Sequence, residues 1–221
     1  MSVDQAYALR HPQRVTTASE AQRGSRTGWL LPLAAGIFLG AMVFDLLPAA
    51  SVSLGWYAFA WAAAGLAAMA LAGGRLQFAQ GRRLAWVGAI GIWMHSLLEG
   101  MVAGAGYEAG ATVGILVTVV LLMHLIPEAS ALRAFAAQAE EKGRLTAVRV
   151  AVALTLVAAG FLAARLALPG LELSQLGRPM AFAAGAFGYL AVVTLRRSTS
   201  GAATNTASVL LGMAWMAALH I

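Results

Sequence analysis

The sequence predicts an all-α, polytopic membrane helical bundle of seven transmembrane spans, with its N-terminus inside and its C-terminus outside. Three observations predict it. Hydrophobic residues make up 60% of the 221-residue chain and charged residues only 11%, against about 45–50% and about 25% in a soluble domain. The apolar residues gather in stretches close to the roughly 20 that an α-helix needs to cross the hydrocarbon layer. The Lys and Arg residues collect in the short segments between those stretches. An excess of this size, distributed in this way, does not fit one water-soluble core.

The spans read Thr27–Leu47, Leu54–Ala72, Leu84–Gly104, Ala111–Leu132, Thr146–Leu168, Pro179–Leu195 and Ala202–Ile221. Clusters of Gly, Pro and Ser at Pro48–Gly55, Gly73–Gly74, Gly104–Gly110 and Pro169–Pro179 are the punctuation expected between helices. Residues 1–26 form a polar, basic, cytoplasmic tail and residues 27–221 a single transmembrane domain. The tail lacks the short apolar core of a cleavable signal, and the apolar run behind it is long enough to be a retained span. Cytoplasmic segments retain Lys and Arg. With the N-terminus inside, the inner segments hold Arg10, Arg14, Arg23 and Arg26, then Arg75, Arg82 and Arg83, then Arg133, Lys142, Arg144 and Arg149, and finally Arg196 and Arg197. Only Arg165 and Arg178 fall outside, and a missed span would scramble that alternation.

The same placement explains the net charge of +6 without nucleic acid as a partner; the partner it implies is the lipid bilayer. Cysteine is absent, which excludes disulfides, thiolate-bound zinc and iron–sulfur clusters. Small residues are dense at Gly36 and Gly40, Gly100 and Gly104, and Ala184, Gly185 and Gly188. Such residues let helix backbones approach closely in a bilayer. They read as packing faces of a compact bundle and are compatible with a homodimer. High Ala, Gly and Arg usage points to a multi-pass protein of a bacterial inner (plasma) membrane.

An ionisable side chain at bilayer depth costs at least ~2.5–3.5 kcal/mol on insertion scales, so each one needs a reason. Well inside the spans stand Asp45, His95, Glu99, His124 and Glu128, with Arg165 near a span's outer end and His220 at the terminus. His220, like His11 in the tail, reads as incidental. Four of the deep groups form two copies of one pattern, His95-Ser96-Leu97-Leu98-Glu99-Gly100 and His124-Leu125-Ile126-Pro127-Glu128-Ala129. Residues i and i+4 share a helix face about one turn apart. The two spans are consecutive and joined by a short loop, so they are antiparallel neighbours whose faces can meet. Two neutral imidazoles and two carboxylates then offer four N/O ligands, a set that suits Zn²⁺, Fe²⁺, Mn²⁺ or Co²⁺ better than Cu(I). The ion compensates the buried negative charge. Pro127 removes a backbone hydrogen bond and frees the carbonyl of Met123 beside the site, and Gly100 gives its helix a close-approach point.

At these residues the sequence resembles the ZIP family of divalent metal (zinc/iron) transporters. That family carries a His-Asn-x-Pro-Asp/Glu-Gly motif on its fourth helix and a His-Glu-x-Pro-His/Glu type on its fifth. Gly40 to Pro48 is similar to the family's second helix and Phe182 to Tyr189 to its seventh, so the likeness spans nearly all of the chain after residue 27. It implies a divergent, prokaryotic-type member whose seven spans match the family's second to eighth helices, with the polar tail standing in for the first. Ser96 stands where the family commonly has Asn, Leu98 where it has Pro, and Leu125 where it has a polar ligand. Thr146–Leu168 carries no acidic residue mid-span. The resemblance therefore implies one metal at a primary site of His95, Glu99, His124 and Glu128, without the family's second site.

Three functions compete on this reading. The first is transport of a divalent metal cation (zinc, with iron or manganese) through one intramembrane His2Glu2 site, the ion being substrate and not catalytic cofactor. Asp45 would then be an outer access ligand and Ser96 an accessory polar neighbour. The second is an intramembrane zinc-dependent hydrolase, in which three ligands and a water make the catalytic site and Glu99 or Glu128 the base; the absence of His-Glu-x-x-His and of a third deep His weighs against it. The third is a bis-His haem protein using His95 and His124, which sets carboxylates one turn from each axial ligand against an apolar macrocycle. The expectation is a transporter and not an enzyme.

Overall fold

A computed structural model describes residues 28–74, 81–139, 141–168 and 170–219. The tail, Arg75 and His220 lie outside the described residues. Among these residues there are seven helices and no strand. They are α1 (Leu30–Leu54), α2 (Tyr57–Gly74), α3 (Gly81–Ala109), α4 (Ala111–Gln138), α5 (Gly143–Ala167), α6 (Gly177–Arg196) and α7 (Ala202–Ala218). Five helical stretches are long and apolar enough to cross a membrane: α1, α3, α4, α5 and α6 with the short turn before it. By that criterion the chain is a membrane protein. Large apolar side chains such as Leu71, Leu122, Ile126, Leu166 and Leu210 stand exposed on these helices. In water they would form patches of a kind that soluble monomers avoid; against acyl chains they are in their own solvent.

The expected breaks moved for physical reasons. Pro48, read as the start of a loop, lies inside α1, which runs on to Leu54. A mid-helix proline has no N–H and its ring collides with the carbonyl four residues back, here that of Phe44. The helix absorbs the conflict by widening: Ala41–Leu46 is π-helical and the Leu47 N–H bonds the carbonyl of Met42, five residues back. α1 then stops at Gly55, whose φ of +55° turns the chain into α2. Gly104 and Gly106, also read as a break, stay inside α3 because they are packing points. The interruption shrinks to Gly110, with φ +140°. Between α5 and α6 a 3-10 turn at Leu173–Leu176 is boxed by Glu172 and Gln175, and Pro179 falls in the first turn of α6, where its missing N–H costs nothing.

Glycine contacts define how the helices pair. A Cβ at Gly36 would lie 2.2 Å from the Val209 carbonyl oxygen, and one at Gly212 would lie 2.5 Å from that of Leu33, so α1 and α7 touch backbone to backbone. Gly65 against Phe182, and Gly185 against Ala62, do the same for α2 and α6. Gly100 against Val157, Gly104 against Phe161, and Gly160 against Leu97 do so for α3 and α5. Along each pair the contacts advance in the same chain direction, from Gly36–Val209 to Gly40–Met213, from Trp61–Arg178 to Leu66–Gly188, and from Gly100–Val157 to Gly104–Phe161, so α1–α7, α2–α6 and α3–α5 are parallel. α4 runs antiparallel to α3, with Gly114 beside Gly106 and Phe135 beside Gly88. The small-residue faces are thus used within the chain.

Two groups of helices result. α3 packs most extensively on α4 and α5; α2 packs on α6, α7 on α1, and α1 on α6. Between the groups the meeting is through side chains: Phe38 of α1 stacks on Phe135 of α4 at 5.7 Å, and a Cβ at Gly91 of α3 would meet the side chain of Leu190 on α6. Phe38, Ile92, Leu132, Phe135, Phe187 and Leu190 are buried in this central core.

Candidate metal centre

The i,i+4 spacing puts His95 and Glu99 on one face of α3, and His124 and Glu128 on one face of α4. The antiparallel packing turns these faces together. All four are buried, and Ser96 fully so. His95 Nε2 lies 3.3 Å from Glu99 Oε1 and 3.7 Å from Glu128 Oε1. The Ser96 hydroxyl lies 3.3 Å from Glu128 Oε2 and 3.0 Å from the Ile92 carbonyl oxygen, so Ser96, the residue next to His95, steadies Glu128. The Phe187 ring of α6 meets the His95 imidazole edge-on at 4.9 Å.

The ligand-type residues fall into two overlapping triads. His95, Glu99 and Glu128 form one, and Asp45, Glu99 and His124 the other; within each, the ligand atoms lie inside 4.8 Å of one another. Glu99 belongs to both. The four residues expected at one ion are therefore divided, with His124 grouped beside Asp45. Asp45 gets there through the π-helical stretch of α1, a helix defect that recurs at functional sites. His124 Nδ1 lies 2.9 Å from the Val120 carbonyl. A carbonyl can only accept, so Nδ1 carries the proton and Nε2 is left as the donor atom for a metal. Among the described residues, neither triad draws a ligand from α5.

A cavity of about 290 Å³ reaches the triads, lined by Asp45, His95, Glu99 and His124 and walled by apolar residues that include Val120, Leu121 and Met180. Glu128 is not among its lining residues and sits behind them. Buried polar atoms are nearly always hydrogen-bonded, yet His95 Nδ1, Glu99 Oε2 and Glu128 Oε1 are buried without a hydrogen-bond partner. The two carboxylate oxygens among them, beside the His95 Nε2 that faces both carboxylates, are of the kind that suits a borderline or hard divalent cation. α4 continues unbroken through Pro127 to Gln138, and Gly100 serves the contact with α5.

No family model matches the chain, and no curated protein matches it either. The resemblance to ZIP transporters thus rests on the residues quoted above.

Sequence reasoning missed two features. The first is that two triads share Glu99, which depends on the π-helical register at Asp45; Pro48, three residues on, was the available signal. The second is Arg149, counted among the inner-segment cations but buried, with its guanidinium paired to Glu141 through two nitrogens and lying 4.8 Å over the Trp86 ring. Its own backbone carbonyl accepts from Trp93 Nε1 at 3.0 Å. Glu141, eight residues upstream, was the signal there.

Proposed function

We propose that the chain is a transporter of divalent metal cations, with zinc, iron(II) or manganese(II) as substrate, and that it belongs with the ZIP transporters. The observation that carries this is the pair of triads sharing Glu99, reached by a cavity and set between two groups of helices. An ion in the cavity exchanges water for Asp45, His124 and Glu99. It then passes, still held by Glu99, to His95, which also lines the cavity, and Glu128, which does not. Conduction needs sites that bind well enough to fill and weakly enough to release, and two overlapping three-ligand positions meet that need better than one closed four-ligand cage.

The fold supports movement as well. Helices welded by backbone contact at glycine move as units, whereas side-chain seams can slide. Here the welds lie inside α3–α5, α2–α6 and α1–α7, and the seam runs past His95 and Phe187. We further infer seven spans with the N-terminus inside, in a cell's inner (plasma) membrane. Helices 1 and 7, 2 and 6, and 3 and 5 must each be parallel if every helix crosses, and each pair is. α2 and α7, at 18 and 17 residues, lie at the short end of what spans a bilayer.

The deciding experiment is Zn²⁺, Fe²⁺ and Mn²⁺ flux into proteoliposomes, comparing wild type with Glu128→Ala and His95→Ala. Flux of one of these ions that both substitutions abolish is the expected result. Zinc retained stoichiometrically by the wild type and lost in both variants, with no flux of any ion, would overturn transport.

A further inference from the structure

A second cavity, about 570 Å³ and almost wholly apolar, opens along the seam between the two helix groups. Met69 of α2 and Phe187 of α6 line one side, and Met94 and Leu98 of α3 the other. Its one ionisable lining residue is Arg178, at the start of α6, exposed and 6.0 Å from the Trp61 ring centroid. Among the described residues no carboxylate pairs with Arg178. Trp56 and Tyr57, stacked on each other at 4.0 Å and largely exposed, cap the same end of α2. Exposed Trp and Tyr collect at the level of the lipid headgroups, which sets Arg178 at that level, with the apolar cavity running inward from it.

An uncompensated cation at headgroup depth above an acyl-sized apolar slot is complementary to one kind of molecule. We propose that this seam binds an anionic phospholipid, its phosphate on the Arg178 guanidinium and one acyl chain between α3 and the α2–α6 pair. The chain would pack on Phe187, which touches the His95 ring, and on Leu98, which also lines the cavity of the triads. Lipid and metal would then be separated by a single layer of side chains. The lipid site requires only that the protein sits in a bilayer and stands whether or not the ion moves.

The test uses the full chain in nanodiscs doped with phosphatidylglycerol or phosphatidylcholine bearing a photoreactive acyl chain, with adducts mapped by mass spectrometry. Adducts on Met69, Met94 and Phe187 should be about fivefold more abundant with phosphatidylglycerol, the preference that one interfacial Arg contributes. Arg178→Gln, at an exposed position, should remove that preference while leaving a residual signal. Ala186→Phe, which fills the slot, should reduce adducts from both lipids. Equal labelling by the two lipids in the wild type, or an undiminished preference in Arg178→Gln, would overturn the proposal.

Discussion

Replacing Gly100 with alanine puts a single methyl group where α3 and α5 touch. The new Cβ would lie 2.0 Å from the Val157 carbonyl oxygen, about 1.4 Å inside ordinary van der Waals contact at 3.4 Å. The obstacle is helix backbone, so no rotamer change relieves it and α5 must move away. Gly160→Ala meets the same seam from the other side, 2.2 Å from the Leu97 carbonyl oxygen. Overpacking of this sort costs about 1–3 kcal/mol, or a fall in Tm of roughly 2–4 °C for each kcal/mol in a chain of this size. Because either methyl spreads the same pair of helices, the double variant should lose less than the sum of the two single losses.

Two other glycines serve as controls. Gly143 has nothing within 4 Å of a built Cβ, and the nearest neighbour at Gly106 is an ordinary 3.5 Å away; alanine at either should leave stability within about 0.5 kcal/mol. The assay is thermal unfolding of the purified chain in detergent, followed by circular dichroism, for the four single variants and the double. If Gly100→Ala melts with Gly143→Ala, the backbone weld between α3 and α5 does not exist. The division of the bundle into two bodies would then lose its main support.

Zinc titration calorimetry should separate the triads. Glu99→Gln is expected to weaken binding by at least the ~10–100-fold typical of lesser changes around a bound metal, because it removes a ligand from both positions. Asp45→Asn and Glu128→Gln should each weaken only one phase, and equal effects of all three would refute the shared ligand. Glu141→Gln strips the partner from buried Arg149 and should cost about 3–5 kcal/mol in chemical denaturation, while Arg149→Met with Glu141→Leu should lose far less. Arg165→Gln breaks an exposed pair with Glu108 and should cost under about 1 kcal/mol.

The helices were legible because the bilayer makes their signal nearly compositional: a long apolar run has few alternatives to a helix. The facing of α3 and α4 was legible from the repeated i,i+4 spacing of His95–Glu99 and His124–Glu128. Helix ends were less so, because glycine in a membrane helix has two meanings. Gly104 and Gly106 have the composition of a turn, yet they sit inside α3 as the points where α5 and α4 come close. Among the described residues, the glycines with the positive φ that a break needs are Gly55, Gly110 and Gly170, all between helices. The split of the site into two triads was out of reach for a sharper reason. It depends on where Asp45 points, and the π-helical stretch around Asp45 rotates that side chain by an amount that no 3.6-residue period predicts.

That split also bears on how the proposed transport step would work. His95, Glu99 and Glu128 all stand on α3 and α4, inside one body, so their geometry survives any sliding of that body against the rest. Asp45 stands on α1, in the other body. The Asp45–Glu99–His124 triad is therefore complete only while the two bodies are docked as observed, whereas the His95–Glu99–Glu128 triad can travel intact. An ion would be captured by a site assembled across the seam and carried by a site confined to one side of it, with Glu99 holding it at both stages. On this argument Asp45→Asn should slow capture and raise the half-saturating ion concentration of flux with little change in its maximum. Glu128→Gln should lower the maximum itself. Equal loss of maximal flux in the two variants would mean that the triads act as one site and that the seam plays no part in the passage of the ion.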